Sequence, residues 1–173
     1  MSAVSRAAGA AAPASTPPRL PGFVLGLGLG GFLDGIVLHQ ILQWHHMLTG
    51  TGEHPANTAA GLRDNTVADG LFHIGTWALV AAGMVLAIRA WQRRELAPPW
   101  RSQVGMLAAG WGAFNVVEGV VNHQLLGIHH VRDDLGAPLV WDLAFLASGM
   151  LLILAGILLA RSGDRIVRAQ PAG

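Results

Sequence analysis

Four apolar stretches constrain this chain more than any other feature of it. Crossing about 30 Å of hydrocarbon takes about 20 helical residues. Pro21–His45, Ala68–Arg89, Ser102–Leu126 and Leu139–Ala160 are each long enough. Lipid offers a backbone no hydrogen-bond partner, so spans of this kind are helices or closed barrels, and the length of these segments selects helices. The expected fold is an all-α membrane protein, a bundle of four transmembrane helices. Composition agrees, with 12% charged residues against about 25% in soluble domains. The chain has no cysteine, which excludes disulfides, thiolate metal sites and cysteine nucleophiles.

All the basic residues are arginine, and their positions set an orientation. Arg6 and Arg19 precede the first span, Arg89, Arg93, Arg94 and Arg101 lie between the second and third, and Arg161, Arg165 and Arg168 follow the fourth. Only Arg63 and Arg132 fall in the other two loops. Positive charge stays on the cytoplasmic side, so both termini are expected in the cytoplasm, with the loops near 47–67 and 127–138 outside. Arginines distributed this way orient a membrane protein and are no nucleic-acid footprint. Residues 1–20, rich in Ala, Pro and Ser, read as a disordered cytoplasmic tail rather than a cleaved signal. The transmembrane domain is expected over 21–162, and a second tail over 163–173.

The chain also repeats itself. At an offset of 84, Asp34-Gly-x-x-x-His39-Gln-x-x-x-x-His45-His46 falls on Glu118-Gly-x-x-x-His123-Gln-x-x-x-x-His129-His130. At an offset of 73, Asp69, Phe72 and Gly83 fall on Asp142, Phe145 and Gly156. This pattern reads as a duplicated two-helix unit, about 21–90 and about 102–162, whose even number of spans makes it a parallel repeat. Gly22, Gly26 and Gly30, then Gly31 and Gly35, then Gly105, Gly112 and Gly119 supply the small residues through which membrane helices pack.

All eight histidines lie toward the outer side. At about 100° per residue, His39 and His46 share a stripe, as do His123 and His130, and Asp69 shares a face with His73. Asp34 and His39 diverge by about 140° on the same period, which separates an outer histidine layer from a deeper acid layer. Asp34 and Glu118 are expected to meet across the repeat axis, sharing a proton or a cation, because ionisable groups within a span are costly and mark sites or partners. His39, His46, His73, His123 and His130, with Asp69, are the expected metal ligands, and Asp142 is a further carboxylate whose place near a helix start also suits the helix dipole. Imidazole with carboxylate suits Zn, Fe, Mn or Cu(II). His39 and His123 are alternatively the axial ligands of a b-type haem passing electrons to or from quinone. A third reading is a scaffold whose polar residues only join helices. His54 is expected to be solvated, Arg132-Asp133-Asp134 to pair within its loop, and the tryptophans to mark the membrane interfaces.

The segment Gly30-Gly-Phe-Leu-Asp-Gly-Ile-Val-Leu-His-Gln-Ile-Leu-Gln-Trp-His-His-Met resembles a bacterial family of four-span membrane proteins of unknown function, over about residues 20–162. The resemblance implies an integral inner-membrane protein and the company of respiratory oxidase assembly proteins, which suits metal handling. The spacing His-x5-His-His departs from the His-x-x-x-His and His-x-x-His-His boxes of membrane desaturases. Phosphate loops, nucleotide fingerprints and nucleophile triads do not occur.

Overall fold

The computed structural model describes residues 18–96 and 100–169. Its principal helices are α1 (Leu20–Asp34), α2 (Ala59–Gln92), α3 (Arg101–Glu118) and α4 (Leu139–Ala169). α1 and α3 each run without a break into a π-helical segment, Gly35–Ile41 and Gly119–Leu125 respectively. With these included, four helices are long and apolar enough to cross a membrane. Pro21 stands in the first turn of α1, where no helical partner is lost by lacking an N–H. Thr58 caps α2, its Oγ1 accepting from the Gly61 N–H at 3.1 Å.

Two boundaries differ from the sequence expectation. α2 begins at Ala59 instead of Ala68, because the Thr58 cap starts a polar helical turn that hydropathy does not register. Asp69 therefore lies well inside the helix and not at its N-terminal end. α4 continues to Ala169 through residues expected to form a tail; Arg19 and Asp164 tie this extension to the start of α1 at 2.7 Å. Residues 1–17 of the expected N-terminal tail lie outside the described residues.

α2 packs on α1, α1 on α3, and α3 on α4. The two helices that carry the repeated histidine motif are thus side by side at the centre, with one flanking helix each. Glycines set this geometry. A Cβ at Gly26 would meet the Leu107 backbone, one at Gly110 the Phe23 carbonyl, and one at Gly22 the Gln103 carbonyl at 2.7 Å. Gly105 and Gly112 face α4 in the same way, against Gly156 and Gly149. Close backbone approach through small residues is how helices associate when lipid removes the hydrophobic drive.

The interior is polar where a soluble protein's would be apolar. The largest fully buried side chains are His39, His45, His129, Asn65, Asp69, Asp142 and Ser102, while Leu71, Ile74, Trp77, Leu143, Met150 and Leu154 are exposed on the flanking helices. This inversion suits a chain surrounded by hydrocarbon.

Candidate metal centre

The π-helical segments create the site. In each, backbone N–H groups reach five and six residues back: Leu42 to Val37 and Trp44 to Leu38, both at 2.9 Å, then Leu126 to Val121 at 2.9 Å and Ile128 to Asn122 at 3.1 Å. The chain then turns through Gln43 and Gly127, at φ 49° and 58°. Widening the turn brings residues five apart onto one face. Asp34 Oδ2 consequently lies 3.4 Å from His39 Nε2, although an α-helical period places the two on diverging faces. The acid and histidine layers merge into one cluster.

Four imidazoles converge there, and their orientation is built from the second nitrogen. His39 Nδ1–H donates to Asp69 Oδ1 at 2.9 Å. His45 Nδ1–H donates to the Val131 carbonyl at 3.0 Å, and His129 Nδ1–H to the Met47 carbonyl at 3.4 Å, so each outer loop orients the other's histidine. His123 Nδ1 faces Asp142 Oδ1 at 3.5 Å without hydrogen-bond alignment. Each ring's Nε2 points inward, buried and without a partner, as do Asp34 Oδ2 and both carboxylate oxygens of Glu118. Burial removes the loop imidazoles from their usual range. His45 is lowered well below it, with His129 and His39 adding to the effect, and His129 is lowered to about 4, with His39 the next cause. At neutral pH both are the uncharged ligand form.

Unpartnered buried polar groups are expensive, and six residues bearing them in one place call for a common partner. His39, His45 and His129 present ligand atoms within 4.8 Å of one another; so do Glu118, His123 and His129, and so do Asp34, His39 and Glu118. The 3.4 Å separations of Asp34 from His39 and of Glu118 Oε1 from His129 Nε2 match the edge of about 3.4 Å of a tetrahedron built from 2.0–2.1 Å bonds.

Asp69 and Asp142 are the supporting carboxylates. Asp69 accepts from His39 and His46 Nδ1–H, from Gln40 Nε2 at 3.2 Å and from the Met47 N–H at 3.0 Å. Asp142 accepts from His130 Nδ1–H, from Gln124 Nε2 at 3.2 Å and from the Val131 N–H at 2.9 Å. The His46–Asp69 and His130–Asp142 contacts are both 2.7 Å. These bonds engage three of the expected ligands. Asp69, His46 and His130 are absent from the three convergent groups: both oxygens of Asp69 accept hydrogen bonds, and His46 and His130 give their Nδ1–H to Asp69 and Asp142. His73 also stands apart: its Nδ1–H donates to the Asp69 carbonyl one turn back at 2.8 Å, and its Nε2 is buried against Gly35.

The bis-histidine haem reading does not fit. The His45 and His129 rings stack at 4.7 Å, and each lies within 6.1 Å of both His39 and His123, occupying space a porphyrin would need. Sequence reasoning missed His45 and His129. The signal was the His-His doublet itself, from which a helical stripe selects the second member, whereas the π-helical end and the following turn deliver the first.

The loops close over the centre. Gly50 N–H donates to the Ile128 carbonyl at 2.9 Å, Asp134 N–H to the Trp44 carbonyl at 3.1 Å, and Thr49 Oγ1–H to Asp133. Arg132 lies over the Trp44 and Trp141 rings, at 4.4 and 5.1 Å, and pairs with Asp134. His54, expected to be solvated, is partly exposed and pairs with Asp64 at 3.0 Å. A cavity of about 560 Å³ lined by His45, His46, Asp133 and Asp134 leads in from the loop side. A second, of about 300 Å³ and mainly apolar, reaches Asp34 between Leu33, Val37, Trp111 and Phe145.

Fold and site together define a class: a four-helix chain suited to a membrane, with buried histidines and carboxylates that could hold a metal ion. The chain belongs to the family of predicted membrane proteins designated DUF2243, whose model matches residues 21–163. No curated protein and no solved structure matches it.

Proposed function

We propose that this protein holds a transition metal within its helices, close to the outer face of the bacterial inner membrane, using His39, His45, His123 and His129 with Asp34 and Glu118. One observation carries the reading: four buried imidazoles have unpartnered Nε2 atoms and belong to overlapping groups of ligand atoms within 4.8 Å of one another, and three of them have Nδ1–H groups fixed by an acceptor. Metal-bound histidines are held in this way, often by a carboxylate, which fixes the tautomer and strengthens the ligand. Nitrogen and oxygen donors without thiolate favour Zn, Fe, Mn or Cu(II) over a soft Cu(I) cage.

A duplicated two-helix unit accounts for the near-symmetry of the centre. The bonds of His46 and Gln40 to Asp69 have the same lengths as those of His130 and Gln124 to Asp142, and the π segments recur at the 84-residue offset. The cavity lined by Asp133 and Asp134 suits entry of a hydrated cation from the loop side.

The test is elemental analysis of protein purified in detergent. Wild type is expected to carry stoichiometric transition metal, and His45→Gln/His129→Gln to carry less of it while still eluting as a folded species. His54→Gln should retain it. Metal equally present in the double variant would overturn the assignment of the ligands.

A further inference from the structure

Resting on the metal reading above, we infer that the centre is dinuclear, with Glu118 as the carboxylate shared by two ions. The six donors do not surround one point. Asp34, His39 and Glu118 form one convergent group and Glu118, His123 and His129 another, and Glu118 is the member they share. His45 lies alongside His39 and His129. No group among the described residues contains both His39 and His123. One ion with bonds of 2.0–2.1 Å needs all its ligands within about 4.2 Å of one another, so a single ion leaves one end of the cluster unliganded. The buried nitrogen or oxygen atoms at that end would then remain without a partner, the costly state a second ion relieves.

Glu118 is the residue equipped to bridge. Both its oxygens are buried and free of hydrogen bonds, so each can face one ion. The histidines that recur between groups, His39 and His129, cannot take this part, because each has one nitrogen committed to Asp69 or to the Met47 carbonyl, and His123, with both nitrogens free, belongs to one group only. Asp69 is excluded because both its oxygens accept hydrogen bonds. The first ion therefore takes His39 and Asp34, the second takes His123 and His129, and His45 completes one of them. Carboxylate-bridged pairs of this kind stand about 3.5–4 Å apart.

The experiment loads detergent-purified full-length protein with Zn²⁺, removes unbound metal by gel filtration and counts ions per chain. Two are expected in wild type and one in His123→Gln. A parallel Mn²⁺-loaded sample should give the exchange-coupled EPR spectrum of a pair, and Glu118→Gln should abolish the coupling. One zinc per wild-type chain with an uncoupled Mn²⁺ signal would overturn the dinuclear centre and leave the metal reading standing; no bound metal would overturn both. Thermal unfolding of each variant separates lost ligation from lost fold. If His123→Gln does not fold, His129→Gln replaces it with the same expected count.

Discussion

Asp69 accepts four hydrogen bonds and in doing so fixes His39, His46, Gln40 and the start of the first outer loop. Removing half its acceptor capacity should loosen the ligand without deleting it. Asp69→Asn is expected to weaken metal affinity about 10- to 100-fold, measured by competition with a chelator. Asp142→Asn should act in the same direction through His123 and His130. His129 carries a second prediction. Its pKa lies below the unfolded value of 6.5, lowered to about 4 by burial and the nearby His39, so protonation favours the unfolded chain. The stability its neutral ring contributes is full above pH 6.5 and is lost as pH falls toward 4, by about 3 kcal/mol at most. Metal-free protein should melt at progressively lower temperature from pH 7 to pH 5, whereas His129→Gln should lose part of that dependence. Which members of the His-His doublets point inward was not legible from residue identity, because both are histidine and only the turns at Gln43 and Gly127 separate them.

Among the elements, the central α1–α3 pair depends on backbone contact at Gly26 and Gly110. Gly26→Leu should therefore cost at least about 1–3 kcal/mol through overpacking, whereas Gly70→Ala, on a part of α2 where a Cβ meets nothing within 4 Å, should gain about 0.5–1 kcal/mol from helix propensity. Differential scanning fluorimetry in one detergent would rank the two. The helices were legible in the sequence because apolar length is a strong signal, and the glycine spacing named the packing faces. The π segments were not. Their sequences, Gly-Ile-Val-Leu-His-Gln-Ile and Gly-Val-Val-Asn-His-Gln-Leu, satisfy an α-helical pattern equally well, and the widened turn arises where Asp34 and Glu118 enter a shared polar cluster. That single change of period converts Asp34 and His39 from diverging residues into neighbours.

For the whole molecule, the arginine distribution and the site agree on a polarity: the centre lies toward the loops that hold few arginines, and Arg19, Arg161, Arg165 and Arg168 surround Asp164 at the opposite end. Because the chain has no cysteine, topology can be read with single substitutions. Glu53→Cys is expected to react with a membrane-impermeant maleimide from the periplasmic side of spheroplasts, and Glu95→Cys only after lysis; the reverse pattern would invert the proposed orientation. The polar interior follows from the same large-scale fact, since hydrocarbon outside and ligand donors inside leave the flanking helices to present their leucines outward. The most direct test of the central claim is the transition-metal content of the protein as purified from its membrane in detergent. A stoichiometric metal, reduced when His45 and His129 are replaced, is expected; protein that is folded, loaded with Zn²⁺ and still holds none above background would contradict it.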